Sequence, residues 1–116
     1  MSLINIKRGD IFWLDFSRSP AKPMEKKRPV LIVQNNLGNR YSPKTIVAAI
    51  HSETGKGLPV HVSVPKGIGG LSKDSVIDCG VLVTVDKTLL QGKLGELPLV
   101  FSSQVDKALR ISLALA

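Results

Sequence analysis

Arg28-Pro-Val-Leu-Ile-Val-Gln-Asn-Asn-Leu-Gly-Asn-Arg-Tyr-Ser-Pro-Lys-Thr-Ile-Val-Ala-Ala-Ile50 holds two apolar, β-branched runs, Val30–Val33 and Thr45–Ile50. Their apolar residues are consecutive rather than alternating, so each reads as a strand buried on both faces. Asn35, Asn36, Gly38, Asn39, Ser42 and Pro43 supply turn chemistry between them. Arg28 opens the first strand and His51-Ser52 closes the second. Pairing across the turn is expected to bring Arg28, Asn35 and His51 to one rim of a small sheet. That rim would present a cation, an amide and an imidazole, with no carboxylate pair.

Outward from this hairpin, short strands alternate with turns. Residues 9–16 read as the first strand, and 17–27 as a long loop in which Pro20 and Pro23 bar regular pairing. Residues 53–57 form a turn with Gly55 and Gly57. Val60, Val62 and Val64 alternate with His61 and Ser63, the pattern of a half-buried strand. This places His61 on a polar surface. A glycine-rich loop spans 66–71, and short strands are expected at 75–77, 81–85 and 93–97. Gly9, in Arg8-Gly9-Asp10, is expected to allow close backbone approach. The C-terminus alone reads as a good helix. Ser102 or Ser103 can cap it, with Asp106 as the acid of a capping box. Val105, Ala108, Leu109, Ser112 and Leu113 form its apolar stripe, and Ile111 and Leu115 lie off it, which fits a partner chain or a frayed last turn equally. Frequent short strands with one helix suggest a small β-barrel.

The chain has 116 residues, the size of one domain, and 43% hydrophobic content suits a real core. Aromatics make up only 4%, so that core is mostly Val, Leu, Ile and Ala. No long apolar run suggests a membrane span, and the N-terminus lacks a signal-peptide layout. A cytoplasmic location is expected. The single cysteine, Cys79, cannot form an internal disulfide and reads as a small buried hydrophobe. A net charge of +7 favours a polyanionic or acidic partner. Lys22, Lys26, Lys27 and Arg28 crowd one segment, and Arg40, Lys44 and Lys56 fall in other loops. Two isolated histidines and one cysteine do not make a metal ligand set, so neither metal nor cofactor is expected.

The Arg28-Pro29-Val30 strand opening, followed by Gln34-Asn35, resembles the MazF/PemK family of toxin endoribonucleases. The likeness runs through Lys7-Arg8-Gly9-Asp10-Ile11-Phe12-Trp13, Leu58-Pro59-Val60-His61-Val62, Lys73-Asp74-Ser75-Val76-Ile77 and Thr84-Val85-Asp86-Lys87. It ends in Val105-Asp106-Lys107-Ala108-Leu109-Arg110-Ile111-Ser112-Leu113, so it covers nearly the whole chain in order. The resemblance implies one toxin domain over residues 1–116. Its fold would be an SH3-like β-barrel with a C-terminal helix, the plasmid-maintenance toxin fold shared with the CcdB branch. It also implies a homodimer, and metal-independent, sequence-specific cleavage of single-stranded RNA through a 2′,3′-cyclic phosphate. An antitoxin protein would block the same groove with an acidic, apolar tail, and the pair could bind DNA.

Such cleavage requires a group to accept the 2′-hydroxyl proton, a group to stabilise charge on the pentavalent phosphate, and a group to protonate the leaving 5′-oxygen. Arg28 matches the family's catalytic arginine; a guanidinium is always charged and binds phosphate by two parallel bonds. Pro29 holds the Arg28 backbone extended. The family's partner threonine is replaced here by His51, whose imidazole can carry protons near neutral pH. Ser52 offers a hydroxyl but would point to the other face of a continuing strand. Asn35 matches the family's binding asparagine. Lys22, Lys26, Lys27, Pro29, Asn36, Arg40, Ser42, Lys44 and Lys56 complete the expected RNA-contacting set. The sequence also departs from the family at Lys22–Lys27 and at Gly80–Val83, where a charged edge has become apolar. The alternative is therefore a catalytically weakened nucleic-acid-binding module that regulates transcription with its antitoxin. The gyrase-poison branch of the fold is a third reading, without the Arg-Pro-Val and Gln-Asn pattern.

Overall fold

The two apolar runs form the middle of an antiparallel sheet, in the computed structural model that describes residues 5–15, 27–52 and 57–116. Its strands are β1 (Asp10–Asp15), β2 (Lys27–Ile32), β3 (Lys44–His51), β4 (His61–Val64), β5 (Ser75–Asp86) and β6 (Leu90–Glu96). A short helix α1 (Asn36–Tyr41) joins β2 to β3, and α2 (Leu99–Ser112) ends the chain. The strand order is β4-β5-β3-β2-β1-β6. The mainly β fold with a C-terminal helix is as expected, but the sheet is not closed. After β4 the chain makes a 3-10 turn, Ile68–Gly70, that packs against β6. A Cβ on Gly70 would lie 2.1 Å from the Leu94 carbonyl oxygen.

Burial on both faces of the central strands is confirmed. Val30 and Ile32 pack with Phe12, Leu14, Val47, Val85 and Leu90 on one face. Leu31 and Val33 pack with Ile11, Ala48, Ile50, Ile77 and Cys79 on the other, beneath Val105 and Ala108 of α2. Each fully buried Val, Leu or Ile contributes about 1.5–3 kcal/mol of transfer free energy, which is why the consecutive apolar runs hold the centre.

Several local readings change. The polar segment after β2 is a helix rather than a turn: Asn35 caps α1 by accepting from Gly38 N at 2.7 Å. The two short strands expected at 75–77 and 81–85 are one strand, β5. Its pairing with β3 jumps from Ala49↔Asp78 to Ala48↔Leu82, so Cys79–Val81 bulge out of register. The last strand starts at Leu90, and α2 starts at Leu99 after Pro98, without serine capping. The exposed Leu99 and Val100 break the apolar period at that end. Ser103 Oγ donates back to Leu99 O at 3.2 Å, and Asp106 pairs with Arg8 at 2.8 Å. Gly9 serves its positive φ of 97°, not close approach, since nothing lies within 4 Å of a Cβ there.

Candidate active site

Val30 pairs with Ala49, so Arg28 and His51 stand at the same level of neighbouring strands. Both line a cleft of about 340 Å³ together with Lys27, Pro29, Ser52 and Lys73. Trp13, Ile50, Leu71 and Leu94 supply its apolar wall. Of the expected rim, Arg28 and His51 meet here and Asn35 does not, while Ser52, expected on the other face, also lines the cleft. No carboxylate lines the cleft among the described residues, so Lys27, Arg28 and Lys73 set its charge. Such a surface suits phosphates, with the guanidinium as the geometric clamp and the ammonium groups as point charges.

His51 is not a lone imidazole. Its Nε2 lies 3.4 Å from Asp78 Oδ2, and His61 Nε2 lies 3.3 Å from the same oxygen. The register explains the meeting: β5 runs between β3 and β4, and Asp78 stands opposite Ala49 on one side and His61 on the other. His51 is two residues beyond Ala49 on the same face. The two rings meet edge to face with centroids 5.8 Å apart. Asp78 Oδ1 accepts from Gly80 N at 2.9 Å, which fixes the carboxylate and leaves Oδ2 for the imidazoles. Thus His61 is a half-buried neighbour of the site, not a simple surface residue, and the two histidines are not isolated.

Other expected contacts lie elsewhere. Asn35 is seven residues past Arg28, about 23 Å along an extended strand, because antiparallel pairing puts the connection at the far end from the open one. Asn36, Arg40, Ser42 and Lys44 share that far end. Their side chains serve the fold: Asn36 Oδ1 accepts from Arg8 N at 2.7 Å, and Ser42 Oγ accepts from Lys44 N at 3.1 Å. Arg40 sits 5.3 Å over the Tyr41 ring, and Lys44 pairs with Asp86 at 2.9 Å. Lys22, Lys26 and Lys56 lie outside the described residues.

Sequence reasoning missed Lys73 and Asp78. Lys73 opens the Lys73–Ile77 stretch that resembles the family, but nothing in that stretch assigns it to the cleft. Asp78 could be placed only by knowing that β5 lies between β3 and β4. Cys79, its neighbour, faces the core beneath α2. Burial, and then the Asp78 charge, push its thiol up to about 11, so it is the inert hydrophobe expected. In the apolar departure from the family pattern, Gly80 and Val81 are exposed in the bulge, while Leu82 and Val83 are half-buried against the two cores.

Residues 7–113 match the family described as PemK-like, MazF-like toxin of type II toxin-antitoxin system. The chain is 42% identical over 111 residues to Endoribonuclease EndoA of Bacillus subtilis, covering 95% of this chain and 96% of the relative. Among solved structures, an endoribonuclease from a Mycobacterial species superposes with a TM-score of 0.81 at 22% identity, over 99% of this chain and 97% of that one. A MazE-MazF structure from Deinococcus radiodurans gives a TM-score of 0.76 at 20% identity, over 97% and 99%. At these identities the two structures establish the shared fold.

Proposed function

This chain belongs to the PemK-like, MazF-like toxins of type II toxin–antitoxin systems, and from that premise we propose that it cuts single-stranded RNA in the cleft between Arg28 and His51. The toxin is an endoribonuclease, and its whole chain is taken as one toxin domain. Arg28 stabilises the charge that builds on the pentavalent phosphate, a term worth about 2.7–4 kcal/mol when one such donor is removed. Lys27 and Lys73 hold neighbouring phosphates. His51 takes the 2′-hydroxyl proton or returns one to the leaving 5′-oxygen through Nε2, since its Nδ1 is buried, and RNA competes there with the 3.4 Å contact to Asp78. Ser52 adds a hydroxyl at the cleft. The product end would be a 2′,3′-cyclic phosphate, formed without metal because Arg28 supplies the positive charge.

The meeting of Arg28 and His51 in a cleft that no carboxylate lines among the described residues carries this reading. It favours the nuclease over a weakened binding module. An antitoxin with an acidic, apolar tail fits the same cationic, apolar-walled cleft. We further take the active form to be a cytoplasmic homodimer that can bind DNA together with the antitoxin. Among the described residues no helix is long and apolar enough to cross a membrane. The test is cleavage of a long unstructured RNA with EDTA present, by wild type, Arg28→Ala and His51→Ala. Cutting by the wild type alone is expected. Cutting that survives Arg28→Ala would overturn the assignment, and cutting that survives His51→Ala alone would move proton transfer to Ser52.

A further inference from the structure

We propose that His51 Nε2, His61 Nε2 and Asp78 Oδ2 bind one divalent transition metal of the zinc class, and that loading this site takes His51 out of RNA cleavage. The second half rests on the proton-transfer role given to His51 above; the first does not. Two imidazoles and one carboxylate are the ligand types of three-ligand zinc sites that keep a fourth position open. The distances are long for a hydrogen-bonded cluster, although His51 Nε2 still reaches Asp78 Oδ2 as a hydrogen bond. Charge-assisted N–H···O bonds run about 2.7–2.9 Å, whereas both imidazoles here stand further off, at 3.3 and 3.4 Å from one oxygen. Ligands about 2.0–2.1 Å from a tetrahedral zinc lie roughly 3.3–3.4 Å apart. Octahedral neighbours at the Mg²⁺ distance lie only about 3.0 Å apart. The three ligand atoms all fall within 4.8 Å of one another, so binding needs the two nitrogens drawn modestly together.

The surroundings agree. Gly80 N–H holds Asp78 Oδ1 and so aims Oδ2, the outer hydrogen bond that metal-binding carboxylates commonly carry. Both Nδ1 atoms are buried without a partner among the described residues, so Nε2 is the nitrogen each ring turns to the shared carboxylate. The side chains of His51, His61 and Asp78 are 29%, 13% and 15% exposed, enough for an ion to enter. His51 also lines the RNA cleft, so a metal on its Nε2 occupies the nitrogen that otherwise carries the proton.

The full chain, stripped with EDTA and dialysed, is titrated with Co²⁺ and then Zn²⁺, following visible absorption. One equivalent of Co²⁺ giving the intense bands of tetrahedral coordination, displaced by Zn²⁺, is expected. His61→Ala and Asp78→Asn should each weaken binding by more than about 100-fold, beyond the loss typical of an outer-shell partner. His61→Gln replaces His61→Ala if circular dichroism shows the latter unfolded. Absence of tetrahedral bands, or bands that persist in both variants, overturns the site. For the second half, one equivalent of Zn²⁺ should lower wild-type cleavage at least about tenfold, by removing one catalytic group. The zinc-to-zinc-free ratio in His61→Ala should stay near one. Undiminished cleavage with the site loaded overturns the inhibitory role. A zinc-free protein that cuts no RNA overturns that role and the ribonuclease reading together, while the cobalt spectra still judge the ligand set.

Discussion

Arg28 carries the largest share of the proposed chemistry, and its identity matters beyond its charge. Arg28→Ala should lower cleavage about 10²–10³-fold, measured as single-turnover rate on saturating RNA. Arg28→Lys should restore little, because an ammonium cannot make the two-bond clamp. At the other extreme of reactivity is Cys79. Its thiol is pushed up to about 11 by burial and the adjacent Asp78 charge, so alkylation at pH 8 should be slow until denaturant is added. The sign of the linkage follows. A raised native pKa means this contribution to stability is full below the ordinary value of 9.0 and is lost as pH climbs toward 11. Urea unfolding at pH 8 and pH 10.5 should therefore differ more in the wild type than in Cys79→Ala.

The α1 connection shows why an element full of asparagines need not be a ligand site. Asn39 is buried, accepts from Thr45 Oγ1 at 2.8 Å and donates to Gln34 O at 2.9 Å. Lys87 Nζ donates to the Asn39 carbonyl. Gln34 Nε2 also donates to Asn39 Oδ1, at 3.0 Å. Asn39→Ala leaves several of these groups unpaired and should cost about 2–3 kcal/mol, seen as a fall in thermal midpoint of roughly 10 °C. Cleavage per folded molecule should hold, since the cleft lies at the other end of β2 and β3. The Ile68–Gly70 turn is different, because it borders the cleft. Gly70 has φ of 80° and would press a Cβ into Leu94 O. Gly70→Ala should therefore lower both stability and cleavage, measured by thermal melt and by rate at a temperature where the variant is folded.

Across the whole molecule, a net charge of +7 acts through the cationic cleft. RNA binding should fall steeply with salt, and Lys27→Ala and Lys73→Ala should each reduce the log–log slope by about 0.7 per lost phosphate contact on single strands. Asn35→Ala and Lys44→Ala, at the far end of the sheet, should leave that slope unchanged. A fluorescence-anisotropy titration over a range of salt reads both. α2 is tied to this body by Arg8, which pairs with Asp106 at 2.8 Å, donates to the Val33 carbonyl and gives its backbone N–H to Asn36. The exposed Leu99, Val100, Ile111, Leu113 and Leu115 lie along and just beyond that helix.

The sequence by itself determined the central strands, because consecutive Val, Leu and Ile residues have no stable place except between two apolar layers. It also determined the Val105, Ala108 and Leu109 stripe of the C-terminal helix, though not Leu113, which is exposed beyond its end, and the inert Cys79 and the pairing of Arg28 with His51, since those positions follow from period and from local strand pairing. Tertiary structure decided the rest. Which strands are neighbours is not a local property, so the meeting of His61 and Asp78 with His51 depended on β5 inserting between β3 and β4. The Cys79–Val81 bulge and the helical α1 arose the same way, from long-range register and from buried hydrogen bonds to Thr45 and Lys87. Asn35 went to the far end for the simplest of these reasons: in an antiparallel pair, the connection and the open ends lie a strand length apart.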